Sequence, residues 1–286
     1  MRDNIVFEDG DYGLRAILKS PWSDDIGRAL RERPVAEIEL NHAKGWHGND
    51  LSFLVHFPNL RAFKILDLKI ASVEPIHTLH ALLSLDVITY CKTELRFGAF
   101  PALQKCGLEW RSKATSLFDC KTLKKLFVNR YKGENVDSFS RLRNLESLAV
   151  LNAPIKNLHG LRQLTGLRAL RLAGLTKLTS LEGLEALSNL EELEIHTCRK
   201  IGSIEELASL VKLRTLDLNN DGEIESLKPL DKLIRLERVT FYETTNILDG
   251  DLSPIISKNL SRVAFKNRKH YSHTREEFGT SYSGIS

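Results

Sequence analysis

The residues best suited to chemistry occupy every second position of one short segment, Glu192, Glu194, His196 and Cys198, with Asp217 further along the chain. Histidine beside cysteine is the pairing of a general base with a nucleophile, and two carboxylates can divide general acid and base work. His196 and Cys198 stand two apart at the end of one strand, where their side chains need not meet. An open strand surface also offers little desolvation to raise the pKa of one carboxyl. We therefore predict no catalytic residues, and we expect the chain not to be an enzyme.

Two histidine pairs are the remaining candidates for ligand chemistry. His77 with His80 and His270 with His273 form H-x-x-H pairs, but they lack cysteines or carboxylates at metal-ligand spacing. The sequence also contains no G-x-G-x-x-G, no phosphate loop ending in Gly-Lys-Ser/Thr, and no Gly-x-Ser-x-Gly elbow. The prediction is therefore no metal and no cofactor.

Leucine dominates the composition, since 48 of the 286 residues are leucine and 25 of these lie between Leu145 and Leu236. Hydrophobic residues make up 42% and charged residues 27%, which predicts a packed core and excludes disordered, collagen-like and disulfide-scaffold classes. No apolar run approaches the roughly 18–20 residues of a membrane span. The four cysteines form no C-x-x-C pair, and the acidic start lacks the apolar stretch of a secretory signal. A cytoplasmic location without membrane attachment is therefore expected.

The leucines follow a repeated frame, L-x-x-L-x-L, with substitutions, and successive frames begin 20 to 25 residues apart. The end of each frame alternates apolar with other residues, which predicts a short strand. Between frames an apolar residue recurs at every third position, which favours a 3₁₀ helix or extended turns over an α-helix. The eleven frames begin at Val35, Leu60, Leu82, Leu103, Leu123, Leu145, Leu167, Leu190, Leu213, Leu236 and Leu260.

This pattern resembles the leucine-rich-repeat family over roughly residues 35–266. It is most similar to the short 22-residue class of the internalins and of the leucine-rich regulatory subunit of protein phosphatase 1. The resemblance implies an α/β fold, a right-handed leucine-rich-repeat solenoid or horseshoe. About eleven parallel strands would line its concave face, with 3₁₀ or extended segments on its convex face. Stacked coils of this kind bury a continuous leucine core.

The sequence departs from the family at the position eight residues after the first leucine, where the family usually carries an asparagine that hydrogen-bonds the turn backbone. The asparagine ladder is therefore largely absent. Its positions are occupied by Leu68, Tyr90, Arg111, Tyr131, Ala153, Leu175, Cys198, Asp221 and Thr244.

Three segments are predicted along the chain. Residues 1–34 form an N-terminal cap, with Ser23 capping one short helix that runs from Asp24 to Arg33 and stops at Pro34. Residues 35–266 carry the leucine-rich repeats. Residues 267–286 form a basic and polar C-terminal tail, with its last residues, from Gly279 onward, frayed.

The residues between the leucines of each frame should point to the exposed side of the sheet. An apolar strip of Leu66, Ile88, Phe127, Ala149 and Leu151 and an acidic patch of Glu192, Glu194, His196 and Asp217 then suit a protein interface. Alternatively, the apolar side chains pack sideways or under a loop, the acidic patch is a solvated face, and Tyr90, Trp110 and Tyr131 pack in turns. The predicted partner-binding residues are Leu66, Ile88, Trp110, Phe127, Asn129, Leu151, Arg171, Glu192, Glu194, His196, Asp217 and Tyr242.

These observations predict a monomeric, non-enzymatic module that binds another protein on its concave face. Irregular repeats without a fused catalytic segment suggest a bacterial protein, with an intracellular regulator, an effector or an immunity-type protein as candidate roles. The net charge is +4 overall, but residues 51–144 carry +7. Nucleic-acid binding through this basic zone is the alternative function, although its charge is interrupted by many acidic residues.

Overall fold

The structure, a computed structural model, describes residues 4–278. The chain divides into two compact units, residues 1–128 and residues 129–286. The final part of the predicted tail, residues 279–286, lies outside the described residues.

The first unit contains one sheet whose strands follow the order of the chain. An antiparallel hairpin of β1 and β2 opens it, and the strands from β2 to β6 then run parallel. One helix, α1 (Asp24–Arg31), lies between β2 and β3. The strands are β1 (Ile5–Gly10), β2 (Gly13–Leu18), β3 (Val35–Asn41), β4 (Ala62–Leu66), β5 (Ser84–Ile88), β6 (Lys105–Glu109) and β7 (Lys125–Asn129), the last ending one residue into the second unit.

The N-terminal region has the predicted helix and a hairpin that the sequence did not predict. Ser23 caps α1 by accepting a hydrogen bond from the Ile26 amide at 3.3 Å, and the helix ends at Arg31, two residues before the expected end. Trp22 stacks on Phe53 with ring centroids 4.2 Å apart, so it covers part of the first coil. The hairpin pairs with the free edge of β3, which would otherwise expose unpaired backbone groups.

The second unit also contains a mainly parallel sheet, ordered β8-β9-β10-β11-β13-β15, and a separate two-stranded sheet of β12 and β14. A short helix, α2 (Ser253–Ile256), precedes the last strand. The strands are β8 (Ser147–Leu151), β9 (Ala169–Ala173), β10 (Glu192–His196), β11 (Thr215–Asn219), β12 (Glu223–Ile224), β13 (Arg238–Phe241), β14 (Asn246–Ile247) and β15 (Arg262–Phe265).

The predicted frame accounts for these strands. The strands β3 to β11, β13 and β15 each begin within two residues of a frame start, which confirms the predicted eleven parallel strands. Their frame leucines point into the core, where Leu193 and Leu216 are fully buried. Pairing is in register, so Glu194 lies between Arg171 and Asp217 on the opposite side of the sheet.

The return segments between strands are mostly 3₁₀ turns, as the period of three predicted. Their apolar residues are buried, as Leu181, Leu184 and Leu187 illustrate with no exposed surface. The 3₁₀ turns are His42–Lys44, Ser52–His56, Glu74–Thr78, Phe97–Ala99 and Ser112–Asp119 in the first unit, and Asp137–Arg141, His159–Gln163, Leu184–Ala186, Glu205–Ser209, Lys228–Lys232 and Arg275–Phe278 in the second.

The backbone leaves most strands of the second unit through one left-handed residue. Gly174 takes this role after β9 with φ of 65°. Residues with side chains adopt the same conformation elsewhere, at a cost of roughly 1–2 kcal/mol each. They are Arg130, Asn152, Thr197, Asn220 and Glu243, with φ between 53° and 60°.

Gly160 is required by the close stacking of two return segments. A Cβ at this position would meet the Val136 carbonyl oxygen and lie 2.6 Å from the Asp137 Cα. These are backbone atoms of the preceding coil, so they cannot move aside cheaply.

Gly160→Ala should therefore lower the free energy of unfolding by roughly 1–3 kcal/mol, the usual cost of overpacking. The matched control is Gly166→Ala in the following turn, where an added Cβ meets nothing nearer than 3.6 Å. Urea unfolding followed by circular dichroism measures both. Equal stability of the two variants would contradict this account of the stacking.

Candidate functional site

The exposed side of the second unit's sheet carries most of the predicted site residues. Because the strands pair in register, their outward residues form rows, one of which runs from Ala149 through Arg171, Glu194 and Asp217 to Thr240. We call the outward polar residues here the charged face. They are Arg171, Glu192, Glu194, His196, Asp217, Asn219, Arg238, Tyr242, Arg262 and Lys266.

The acidic part of the charged face lies on β10 and β11. The Arg171 Nε lies 3.3 Å from Glu194 Oε2, and His196 Nε2 lies 3.5 Å from Asp217 Oδ2. The Asp217 carboxylate raises the pKa of His196 through this contact, although partial burial opposes the shift. Glu192 is exposed, and its side chain makes no ion pair within the described part of the chain.

The basic part of the charged face lies on β13 and just beyond β15. Arg238 donates from Nε to the Thr215 hydroxyl at 3.0 Å, while the side chains of Arg262 and Lys266 have no partner among residues 4–278. A depression of about 390 Å³ joins the acidic and basic parts, with half-buried Tyr242 at its edge. The charged face therefore presents both signs of charge to one ligand.

Four of the predicted site residues lie in the first unit, on a face that the β1–β2 hairpin partly occupies. They are Leu66, Ile88, Trp110 and Phe127. Leu66 and Ile88 are register partners and half-buried, and Phe127 is 37% exposed. Trp110 is half-buried with its ring 5.7 Å from that of Phe118. The apolar residues of this unit are thus accessible only in part.

The β1–β2 turn reaches residues far along the first unit. Asp11 Oδ2 lies 2.8 Å from Lys105 Nζ, and this ammonium lies 5.3 Å from the centroid of the Tyr12 ring. The Lys105 hydrogen bond lowers the pKa of Asp11. The Tyr12 amide also donates to Glu37. These contacts could not be predicted from a local pattern, because Asp11 and Lys105 are 94 positions apart.

The remaining predicted residues belong to the second unit. Leu151 is half-buried at the end of β8, beside half-buried Ala173. Asn129 accepts a hydrogen bond at Oδ1 from Asn152 Nδ2 at 2.9 Å. The structure thus brings Arg171, Glu192, Glu194, His196, Asp217 and Tyr242 into one surface and places Leu151 and Asn129 nearer the start of the unit.

Comparison with known proteins identifies the architecture. No protein-family model and no curated protein matches the sequence. Solved structures do match. An internalin, InlF, from Listeria monocytogenes is 20% identical with a TM-score of 0.55, covering 82% of this chain and 77% of its own. The functional domain of InlJ from Listeria monocytogenes, which includes a cysteine ladder, is 17% identical with a TM-score of 0.57. The match covers 78% of this chain and 47% of the InlJ chain.

A TDR receptor is 14% identical with a TM-score of 0.63, covering 86% of this chain and 45% of the receptor. The chain has the leucine-rich-repeat fold. It spans about half the length of the InlJ domain and of the receptor. At these identities the likeness concerns the fold alone.

The residue at the predicted ladder position, eight after the first frame residue, should face the core. In three coils this prediction is wrong by one residue. Leu68 and Tyr90 are 42% and 50% exposed, and the buried residues are their predecessors Asp67 and Thr89. Thr244 is likewise exposed, and Thr245 is buried in its place. The turns therefore differ by one residue in these coils, which shifts the side chain that faces the core.

Tyr131 occupies a ladder position and packs in its turn, as one of the open interpretations proposed. It is 6% exposed, and its ring meets Phe139 edge-on with centroids 5.1 Å apart. Tyr90 does not share this environment, because the one-residue shift turns it outward.

The candidate nucleophile and its candidate base take different partners. Cys198 is fully buried, and its Sγ lies 3.5 Å from the backbone carbonyl of His196. Burial raises the pKa of the Cys198 thiol to about 12, which holds it as a neutral thiol. The His196 imidazole instead faces Asp217. Within residues 4–278 no three His, Cys, Asp or Glu side chains converge as metal ligands, and no helix there is long and apolar enough to cross a membrane.

Asp221 fills a ladder position that asparagine holds in the family. Its Oδ1 accepts a hydrogen bond from the Cys198 amide at 2.8 Å, while Oδ2 is buried without a partner. Burial raises the pKa of Asp221 to about 7, and the nearby charge of Asp217 adds to the shift whereas His196 opposes it. The neutral acid form avoids the cost of an ionised carboxylate at this buried position, so it suits the site better than the carboxylate does.

The free energy of unfolding should therefore depend on the protonation of Asp221. Its pKa is raised in the fold from 3.8 to about 7, so its stabilising contribution is complete below pH 4 and is lost as pH rises to about 7. Asp221→Asn removes this dependence, and the variant should gain on the native chain by roughly 1 kcal/mol per pH unit between pH 5 and 6, with the gain levelling off as pH passes about 7.

Urea unfolding by circular dichroism at pH 5, 6, 7 and 8 measures the gain. Asp231→Asn, at an exposed site, is the matched control and should leave the pH profile unchanged. A constant difference between Asp221→Asn and the native chain at all four pH values would refute the prediction.

Proposed function

We propose that this leucine-rich-repeat chain is a non-enzymatic module that binds another protein through the charged face. The observation that carries the proposal is the placement of unpaired charge of both signs around one depression. Glu192 stands on one side and Arg262 on the other, and neither has an ion-pair partner among the described residues. A protein partner with the opposite arrangement of charge would satisfy both.

The form of the surface supports a macromolecular partner. The depression of about 390 Å³ is open to solvent, and nine of its ten lining residues are polar or charged, whereas small-molecule sites are usually enclosed clefts. Tyr242 offers an aromatic ring at the edge, and tyrosine is enriched among the residues that dominate binding energy. Glu194, Asp217 and Arg238 line the same depression and supply charge that would fix the orientation of a partner.

Two apolar residues of the predicted set are proposed as secondary contacts. Phe127 is 37% exposed and Leu151 is half-buried, so part of each side chain is accessible. Apolar area of this kind adds affinity in proportion to what a partner covers.

The alternative of nucleic-acid binding is less well supported, because several cations of the 51–144 zone are already engaged. Lys64 lies 3.8 Å from Glu39, and Lys105 lies 2.8 Å from Asp11. Arg96 pairs with Glu74, and Arg111 is buried. Phosphate recognition needs exposed cations, so the net charge of this zone overstates what it offers.

The cellular setting stays a prediction. A bacterial, cytoplasmic and monomeric protein acting as a regulator, an effector or an immunity-type protein is consistent with the bacterial origin of the internalins that share the fold. The charged face is proposed to act in the same way in each of these roles.

Charge reversal on the charged face should weaken binding of the partner. Glu192→Lys and Arg262→Glu each alter an exposed side chain without an ion pair, so the fold should be unaffected. Each should lower the recovery of the partner roughly fivefold, as expected for loss of about 1 kcal/mol of surface pairing. Affinity capture from the source lysate with quantitative mass spectrometry measures recovery. The matched controls, Glu205→Lys and Lys232→Glu, change exposed residues of the return segments.

Equal recovery by all four variants would place the partner elsewhere. Recovery of nucleic acid in place of a protein, with affinity falling steeply as salt rises, would favour the alternative function.

The apolar contacts have a separate test. Phe127→Asp with Leu151→Asp should reduce recovery tenfold or more, because burying a new carboxylate in an interface is costly. The control pair is Val211→Asp with Ile234→Asp, which are 49% and 85% exposed on the return side. If both pairs bind the partner as the native chain does, the apolar residues take no part in binding.

A further inference from the structure

The turns that follow β5 and β6 in the first unit enclose a buried cation. Arg111 is 8% exposed. Its Nη2 donates to the Thr89 carbonyl at 3.2 Å and to the Thr89 hydroxyl at 2.9 Å, and its Nη1 donates to Cys91 Sγ at 3.2 Å. It forms no ion pair with a carboxylate in the described part of the chain.

A buried guanidinium without a counter-ion is costly, since a charge removed from water must be compensated by an opposite charge. Thr89 offers Arg111 only neutral oxygens. Among the groups that Arg111 contacts, the Cys91 thiol alone can become an anion. Loss of its proton would supply the missing counter-ion at hydrogen-bond distance.

The hydrogen bonds around the sulfur favour the same state. The Thr89 hydroxyl oxygen accepts from Arg111, so its own proton is free to point at Cys91 Sγ, 3.2 Å away. The sulfur therefore faces a guanidinium N–H and a hydroxyl, both able to donate. A thiolate can accept both hydrogen bonds. A thiol would bring its own S–H proton into a site where both neighbours already donate.

The other three cysteines lie in different environments. Burial raises the pKa of Cys106 and Cys120, and that of Cys198 to about 12. Burial also acts on Cys91, but hydrogen bonds from Thr89 and Thr93 and the charge of Arg111 outweigh it and lower its pKa. Cys91 and Cys120 are each 9% exposed, so the two differ in their hydrogen-bonding and charged neighbours and not in access.

We propose that Cys91 is a thiolate paired with Arg111 and that it is a modification site for hydroperoxides. The sulfur attacks one peroxide oxygen, so an S–O bond forms as the O–O bond breaks. Attack on the hydroxyl oxygen gives an S–OH group and a hydroxide or alkoxide leaving group. The leaving oxygen takes the S–OH proton, so sulfur is oxidised to a sulfenate and the hydroperoxide is reduced to water or an alcohol. The donors that hold the thiolate would then hold the sulfenate oxygen, which keeps a negative charge beside Arg111.

The test treats the folded full chain with hydrogen peroxide at pH 6.5 in the presence of dimedone, which traps the sulfenic acid that is in protonation equilibrium with a sulfenate. Peptide mass spectrometry then compares the four cysteines. Cys91 should be labelled at least tenfold faster than Cys106, Cys120 and Cys198. Iodoacetamide labelling across pH 5–10 should give Cys91 a midpoint below the roughly 8.5 of a free thiol.

Arg111→Gln should raise that midpoint relative to the native chain and slow Cys91 oxidation about tenfold. Lys92→Gln is the matched control, because it removes an exposed charge next to Cys91 in sequence and should change neither value. If Arg111→Gln does not fold, the native chain alone tests the proposal. In urea, Cys91 should be labelled at the same rate as the other three cysteines.

Labelling of Cys91 at the rate of the other cysteines, or a midpoint at or above that of the chain in urea, would overturn the proposal. So would an unchanged midpoint in a folded Arg111→Gln variant.

Discussion

In-register parallel pairing of successive strands is the constraint on which the rest of each unit depends. It directs every frame leucine to the core and every residue between them to the opposite side. Arg171, Glu194 and Asp217 become neighbours although each is 23 residues from the next. Binding chemistry is therefore distributed, because each coil contributes only two or three outward side chains to a shared surface.

Much of this fold can be predicted from the sequence because its main signal is local and repeated. The apolar frame fixes where each of the eleven strands begins, and the period of three fixes the return segments. The grouping of Glu192, Glu194, His196 and Asp217 follows from the frame alone, since register is all it requires. Tyr242 can be placed on the same surface for the same reason.

The rest depends on contacts that no period encodes. The β1–β2 hairpin precedes the first frame, and its link from Asp11 to Lys105 joins residues 94 positions apart. The ladder position shifts by one residue at Asp67 and Thr89 because the turn, and not the spacing of leucines, decides which side chain faces inward. The sequence also does not predict the raised pKa of Asp221 or the contact of Arg111 with Cys91, because both depend on burial of these side chains.

The left-handed turn residues of the second unit have a consequence for how the repeat can evolve. Asn152, Thr197, Asn220 and Glu243 share one backbone conformation despite different side chains, so the geometry of the turn is imposed by the coils on either side. A substitution at one of these positions should therefore change the energy of the turn without changing its path. The stacking of neighbouring coils lets the repeat accept a range of side chains at its most strained backbone position.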